Sequence, residues 1–364
     1  MIRGRPPSPA TDRTSRRRSR RVIERHEPGR APEGGPAAGP ELAGVPLAEL
    51  HVHLEATAAP ALVRRLAARN GVEIPPGTID GDRYVWHDFL DFLQTFDRAM
   101  TVVRSAEDYR DITAEYLDAC AAEGAIYVEL TASADHADQT GLPYGDMIAG
   151  IAQGIDDARA ASGIESRILV TAVRDFGTER AEWVARTAAG QPHRYVTGFG
   201  LAGDEAGFPP APYARAFEIA HAAGLGLTCH AGEWAGPESV RGALELRVSR
   251  LGHGVRAVED PGLVRELAER GTVLEVCPTS NVVLGAYPDY AAHPFPLLRA
   301  AGVRLTLGSD DPPYWEASVG GEYAVARREW GLDDAALRAI TRTAVEAAFV
   351  PDDLRSTLLA QIQH

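Results

Sequence analysis

From Leu47 onward, short β-branched apolar runs alternate with Ala/Leu/Arg/Glu-rich stretches of helical period. The runs Leu47–His53, Ala125–Leu130, Arg167–Arg174, Tyr195–Leu201, Gly224–His230, Arg250–His253, Thr272–Cys277 and Arg304–Ser309 read as strands. Pro212–Ala223 and Asp260–Arg270 read as amphipathic helices between the later ones. Alternation of this kind builds parallel βα units, and eight of them close a (β/α)8 TIM barrel. Ala59–Asn70, Trp86–Met100 and Ser105–Ala122 have helical period and fall between the first two strands. They predict a helical insertion over the barrel mouth, and Asp333–Gln363 predicts closing helices. The expected organisation is one barrel domain over residues 43–364, preceded by a disordered Arg/Pro/Gly-rich tail at 1–42.

That tail holds Arg16-Arg17-Arg18-Ser19-Arg20-Arg21, followed by the charged Val22-Ile23-Glu24-Arg25-His26-Glu27 and not by the apolar stretch of an export signal. A start codon placed too early explains it equally well, and a nucleic-acid-binding arm is the lesser alternative. The net charge of −14 argues against a general affinity for nucleic acid or anionic membranes, and no apolar run is long enough to span a bilayer. Cys120, Cys229 and Cys277 are odd in number and scattered, so a reducing cytoplasm is the expected setting. The chain contains no lysine: all 37 basic residues are arginine. Schiff-base chemistry, a P-loop and a metal pair bridged by a modified lysine are thereby excluded.

Histidines gather where such a barrel places its chemistry, at strand C-termini. His51 and His53 are two apart, so they point to one side of their strand. His230, His253 and the pair Asp310-Asp311 end the fifth, sixth and eighth runs. Imidazole and carboxylate donors with an open position describe a catalytic zinc site. Glu233, three residues beyond His230, is placed to act as a general acid if burial keeps it protonated. His253 is placed to take a proton from water or to hold its oxygen. Taken alone, Asp310-Asp311-Pro312 would read as a helix N-cap. The histidines at 26, 87, 136, 193, 221, 293 and 364 lack comparable placement and read as structural or surface.

His51-Val52-His53-Leu54-Glu55, Leu201-Ala202-Gly203-Asp204-Glu205, His230-Ala231-Gly232-Glu233, Gly252-His253-Gly254, Cys277-Pro278-Thr279-Ser280-Asn281 and Ser309-Asp310-Asp311-Pro312 resemble, in order, the motifs of the adenosine/adenine deaminase family. The resemblance implies a barrel holding one Zn2+ on His51, His53, His230 and Asp310. It implies water attack on C6 of a purine and loss of ammonia, with Glu233, His253 and Asp311 as catalytic residues. Glu233 would protonate N1, His253 would deprotonate and orient the water, and Asp311 would bond the water and N7. His53, Glu55, Gly203 and Asp311 would contact the substrate, the Gly203 amide at N3.

Two departures bear on the substrate. Adenosine deaminases usually carry Asp-Gly where this chain has Glu55-Ala56, and that Asp helps hold the ribose. Adenine deaminases tend to carry a serine pair where this chain has Ala202-Gly203. The expected substrate is a small purine nucleoside, adenosine or 2′-deoxyadenosine first. The alternatives are adenine or a modified nucleoside of the 6-aminodeoxyfutalosine type. A catalytically silent binding barrel is the non-enzyme reading, and a cytidine-deaminase-like fold is excluded because Pro-Cys-x-x-Cys is absent. Oligomeric state is not legible.

Overall fold

In the computed structural model, residues 42–362 are described, and the Arg-rich segment lies outside them. Eight parallel strands follow one another around a barrel in sequence order. They are β1 (Leu47–Glu49), β2 (Ala125–Ser133), β3 (Glu165–Val173), β4 (Val196–Ala202), β5 (Gly226–Ala231), β6 (Arg250–His253), β7 (Val273–Val276) and β8 (Arg304–Leu307). The fold is a (β/α)8 barrel, and its interstrand helices bury their apolar stripes against the outside of the sheet.

The observed strands overlap every predicted run, with informative differences at the ends. β1 stops at Glu49, but the chain stays paired beyond it: Val52 bridges Asp310 and His53 bridges Thr131. The Val52–Asp310 bridge joins the continuations of β1 and β8. β2 runs three residues past Leu130, to Ser133.

Between β1 and β2 lies the insertion: α1 (Pro60–Asn70), a two-stranded hairpin (Ile79–Asp80 with Arg83–Tyr84), α2 (Phe89–Met100) and α3 (Ala106–Ala122). Local chemistry sets the boundaries. α1 has Pro at its start and ends at Gly71, whose positive φ lets its N–H reach the Ala67 carbonyl. Asp88 caps α2 through the Asp91 N–H, and Ser105 with Asp108 forms a capping box on α3. The hairpin, with its two-residue strands, was too short to register as a periodic run. Phe89, Phe92, Leu93 and Phe96 form a helical stripe on α2 that roofs the pocket at the strand C-termini. Burying an aromatic side chain such as Phe92 contributes roughly 1.5–3 kcal/mol, so the roof has a hydrophobic anchor of its own.

The barrel interior beneath the pocket is polar. Arg250 on β6 lies 2.6 Å from Glu129 and 2.7 Å from Glu275, and Glu275 in turn accepts from His51 Nδ1 at 3.0 Å. These buried charges pair with one another, which offsets the cost of desolvating them.

Candidate active site

The C-terminal strand ends bring together seven side chains that the sequence singled out. His51, His53, His230 and Asp310 each offer one donor atom, and these atoms all lie within 4.8 Å of one another. His53 Nε2 is 3.2 Å from His230 Nε2 and 3.3 Å from Asp310 Oδ1, and His51 Nε2 is 3.4 Å from the same oxygen. His51 Nε2 is buried without a hydrogen-bond partner. An imidazole nitrogen left unsatisfied beside two more imidazoles and a carboxylate fits a cation with nitrogen and oxygen ligands. Behind His51, Glu275 fixes the ring through Nδ1, leaving Nε2 to face the cluster.

The backbone at this site is bent as strand ends seldom are. His253 has φ of 60° and Asp310 has φ of 65°, both in the left-handed region. Non-glycine residues are held there only where the surroundings over-determine them, as they do at functional sites. Gly252 is required for space: a Cβ there would come within 2.8 Å of His51 and 3.0 Å of His230. Gly203, at φ 103°, lies in a backbone region that residues with side chains rarely adopt, and a Cβ there would press on the Asp175 carboxylate.

Burial and neighbouring charge separate the titrating groups. Burial would lower His51, but the Asp310 and Glu275 carboxylates beside it outweigh that and lift it to about 10. His230 falls well below the ordinary histidine range through burial and the neighbouring His51 and His53. His253 drops to about 3, with burial the largest cause. Burial would raise Asp310, yet the His51 and His53 imidazoles beside it hold it well below the usual carboxylate range. Burial, reinforced by Asp310, pushes Glu233 and Asp311 well above that range. Burial thus favours the neutral forms of Glu233 and Asp311, while the neighbouring histidines favour the ionised form of Asp310.

Asp311 occupies the N-cap position of the short helix Pro312–Trp315 but makes no capping bond with its side chain. The plain capping reading therefore fails for it, and its carboxyl lines the pocket. Glu55 also lines the pocket; its Oε1 accepts from the Ser133 N–H at 2.8 Å and the Tyr109 hydroxyl at 3.1 Å. The cavity measures about 130 Å³.

Two histidines set aside as structural or surface belong to the site's surroundings. His136 lines the pocket and joins Ser133 Oγ at 2.7 Å to Asp97 of α2 at 2.9 Å. His293 is buried and bonds Asn281, which contacts His253. Glu205, part of a recognised motif but given no task, accepts from the backbone N–H groups of Gly232, Glu233, Trp234 and Ala235. Its contacts depend on loop proximity in space, which residue spacing does not encode.

Residues 46–364 match the Adenosine deaminase family. An adenine deaminase of Chelativorans sp. (strain BNC1) is 52% identical over 317 residues, covering 87% of this chain and 97% of the relative. One from Rhizobium leguminosarum bv. trifolii is 50% identical, covering 86% and 98%. Among solved structures, the adenine deaminase from Arthrobacter aurescens superposes with a TM-score of 0.82 at 29% identity, over 87% of this chain and 98% of that one. An amidohydrolase from Burkholderia ambifaria with bound Zn superposes with a TM-score of 0.79 at 26% identity, over 88% and 90%. On this barrel, this convergence of donors and these relatives, the chain belongs to the adenosine deaminase family and is a hydrolase acting on C–N bonds of cyclic amidines.

Proposed function

We propose that this enzyme is a zinc-dependent adenine deaminase, converting adenine and water to hypoxanthine and ammonia. The adenosine expectation gives way to its alternative. The observation that carries the choice is Glu55, a buried carboxylate pinned on one oxygen by Ser133 and Tyr109 and facing a small pocket. A fixed acceptor suits the imidazole-ring N–H of free adenine, which a nucleoside replaces with a sugar. The cavity of about 130 Å³ points the same way, being well below the roughly 300–1,000 Å³ of pockets for larger ligands. Glu55, Asp97 and Asp175 line it and, among the described residues, no arginine does, which disfavours a substrate with a 5′-phosphate. The relatives at 50% identity and above carry the name adenine deaminase, in agreement.

His51, His53, His230 and Asp310 would hold the metal. Zinc there would supply Lewis acidity, lowering the pKa of water to about 7. The remaining work falls to side chains of this chain. Glu233, kept protonated by burial, gives its proton to N1, which draws electron density from C6 as the water oxygen bonds to that carbon. Asp311, protonated likewise, donates to N7, and the Gly203 amide is assigned to N3. His53 flanks the substrate edge beside the metal, and His253 attends the attacking oxygen. Glu233, a carboxylate after its transfer to N1, takes the first proton of the water and passes it to N6. The C6–N6 bond breaks, ammonia leaves, and the remaining hydroxyl proton returns to Glu233 as the C6 carbonyl forms. The apolar side chains of α2 roof the pocket in which these transfers take place.

Steady-state rates on adenine, adenosine, 2′-deoxyadenosine, AMP and 6-aminodeoxyfutalosine, followed by ultraviolet absorbance and ammonia release, test the assignment. The value of kcat/KM for adenine should exceed that for adenosine by about 10²-fold or more, because a nucleoside leaves Glu55 unpaired. A preference for adenosine would overturn the free-base reading while leaving a deaminase in place. Inertness toward every compound by the zinc-loaded protein would remove the purine reading altogether.

A further inference from the structure

His253 is joined to the protein interior by a directional chain of hydrogen bonds. The backbone N–H of Phe295 donates to His293 Nδ1 at 3.2 Å, so that nitrogen presents a lone pair. A neutral His293 then carries its proton on Nε2, which lies 3.2 Å from Asn281 Oδ1. With its oxygen turned to His293, the Asn281 amide directs its NH2 group to His253 Nδ1 at 3.1 Å. His253 Nδ1 accepts, and the proton of a neutral His253 must sit on Nε2. All three side chains are buried, with Asn281 and His253 at 1% exposure or less. Solvent therefore offers no substitute partner.

The other end of the ring agrees independently. His253 Nε2 faces Glu233 Oε2 at 3.6 Å and Asp310 Oδ2 at 3.9 Å. An N–H is favourable between two carboxyl oxygens, whereas a lone pair there would repel the ionised Asp310. Burial also keeps His293 neutral, pushing its pKa down to about 3, so the first imidazole of the chain has a single proton to place.

We propose that the relay from the Phe295 N–H through His293 and Asn281 fixes His253 as its Nε2–H tautomer, so that His253 orients the attacking oxygen as a hydrogen-bond donor and does not act as the base. Asn281 and His293 are positioning residues: they touch no substrate and act through His253. The donor role rests on the deaminase reading, while the tautomer assignment rests on the hydrogen-bond chain from Phe295 to His253. A donor in this position lines up a lone pair on the oxygen with C6 and stabilises the negative charge that the oxygen carries during attack.

Selective 15N labelling of histidine in the zinc-loaded full chain reads the tautomer directly, with His253→Gln used only to assign the signals. The expected spectrum near neutral pH has a pyrrole-like Nε2 and a pyridine-like Nδ1 for His253. A protonated Nδ1 would overturn the proposal, whatever the activity. Asn281→Asp supplies the converse. A carboxylate can only accept, so it should draw the His253 proton to Nδ1. The expected result is a fall in kcat of about 10² to 10⁴-fold with KM and zinc content nearly unchanged, and exchanged 15N signatures. Unchanged kcat with exchanged signatures would overturn the donor role. Should Asn281→Asp fail to fold or lose zinc, the wild-type spectrum still decides the tautomer. Wild type inactive on adenine would strike the functional reading instead, and leave that spectrum standing.

Discussion

The carbonyl oxygen of His51 accepts the Asp310 backbone N–H at 3.1 Å, while their side chains approach to 3.4 Å at His51 Nε2 and Asp310 Oδ1. The same pairing continues one step on, where the His53 N–H donates to the Asp310 carbonyl at 2.9 Å. Barrel closure and the donor cluster are therefore built from the same residues. The site needs the seam between the first and last strands to be shut, and a cation held there would tie the two ends of the barrel together.

That coupling predicts a stability effect of metal removal beyond the loss of turnover. Stripping the protein with a chelator should abolish activity and lower Tm, and added Zn2+ should restore both. Binding to the native state alone stabilises by about 4 kcal/mol at a thousandfold excess over Kd. Calorimetry of stripped and reloaded protein measures it. An unchanged Tm alongside full metal loss would show that the cluster does not hold the seam.

Glu275 orients His51 through Nδ1 at 3.0 Å and is itself paired with Arg250 at 2.7 Å. Replacing Glu275 by Gln keeps the shape but removes the charge that strengthens the His51 ligand. Zinc affinity should fall about 10 to 100-fold, as measured by competition with a chromophoric chelator. Activity at saturating zinc should largely recover. Affinity equal to wild type would mean that His51 needs no partner to stay in place.

The strand-end residues were legible because a two-residue spacing and a βα alternation translate directly into three dimensions. Their partners were not. Glu275 lies inside the apolar-looking run Thr272–Cys277, and only closure of the barrel turns it inward toward His51. His136 has no strand-end placement in the sequence, which is why it reads as structural or surface. The strand runs on to Ser133, and the short helix Ala134–Gln139 that follows brings His136 to the pocket. His293 sits in a segment without period, and its contact with Asn281 follows from how that segment folds back. Asp310 could have been read as a cap, and what distinguished it was its company.

Glu205 carries the next prediction. Its carboxylate accepts from four successive backbone N–H groups, 232 to 235, and so fixes the turn that carries Glu233. A glutamine there would set its NH2 against some of those donors. Glu205→Gln should lower kcat by about 10²-fold, the usual scale for a reacting group displaced by an ångström, with zinc content unchanged. Glu233→Gln should retain the metal and lose nearly all turnover. If Glu205 acts through Glu233, the double variant should be no slower than Glu233→Gln alone. Additive losses would assign Glu205 a separate role.

Glu322 supplies a pH dependence of stability away from the donor cluster. It is fully buried, accepts from the Thr279 N–H at 3.2 Å, and burial raises its pKa from 4.5 to about 8. Because the folded value lies above the unfolded one, the native state keeps this proton after the unfolded chain has released it. The contribution is fully present below pH 4.5 and is lost as pH rises toward 8, by about 4–5 kcal/mol at most. Glu322→Gln has no proton to lose, and its carbonyl oxygen can still accept from Thr279. Its stability relative to wild type should therefore climb between pH 4.5 and 8 and then level off. Urea unfolding of the two proteins across that range gives the difference directly, free of the other titrating groups they share. Parallel curves would mean that the Glu322 carboxyl ionises in the folded protein as readily as in the unfolded one.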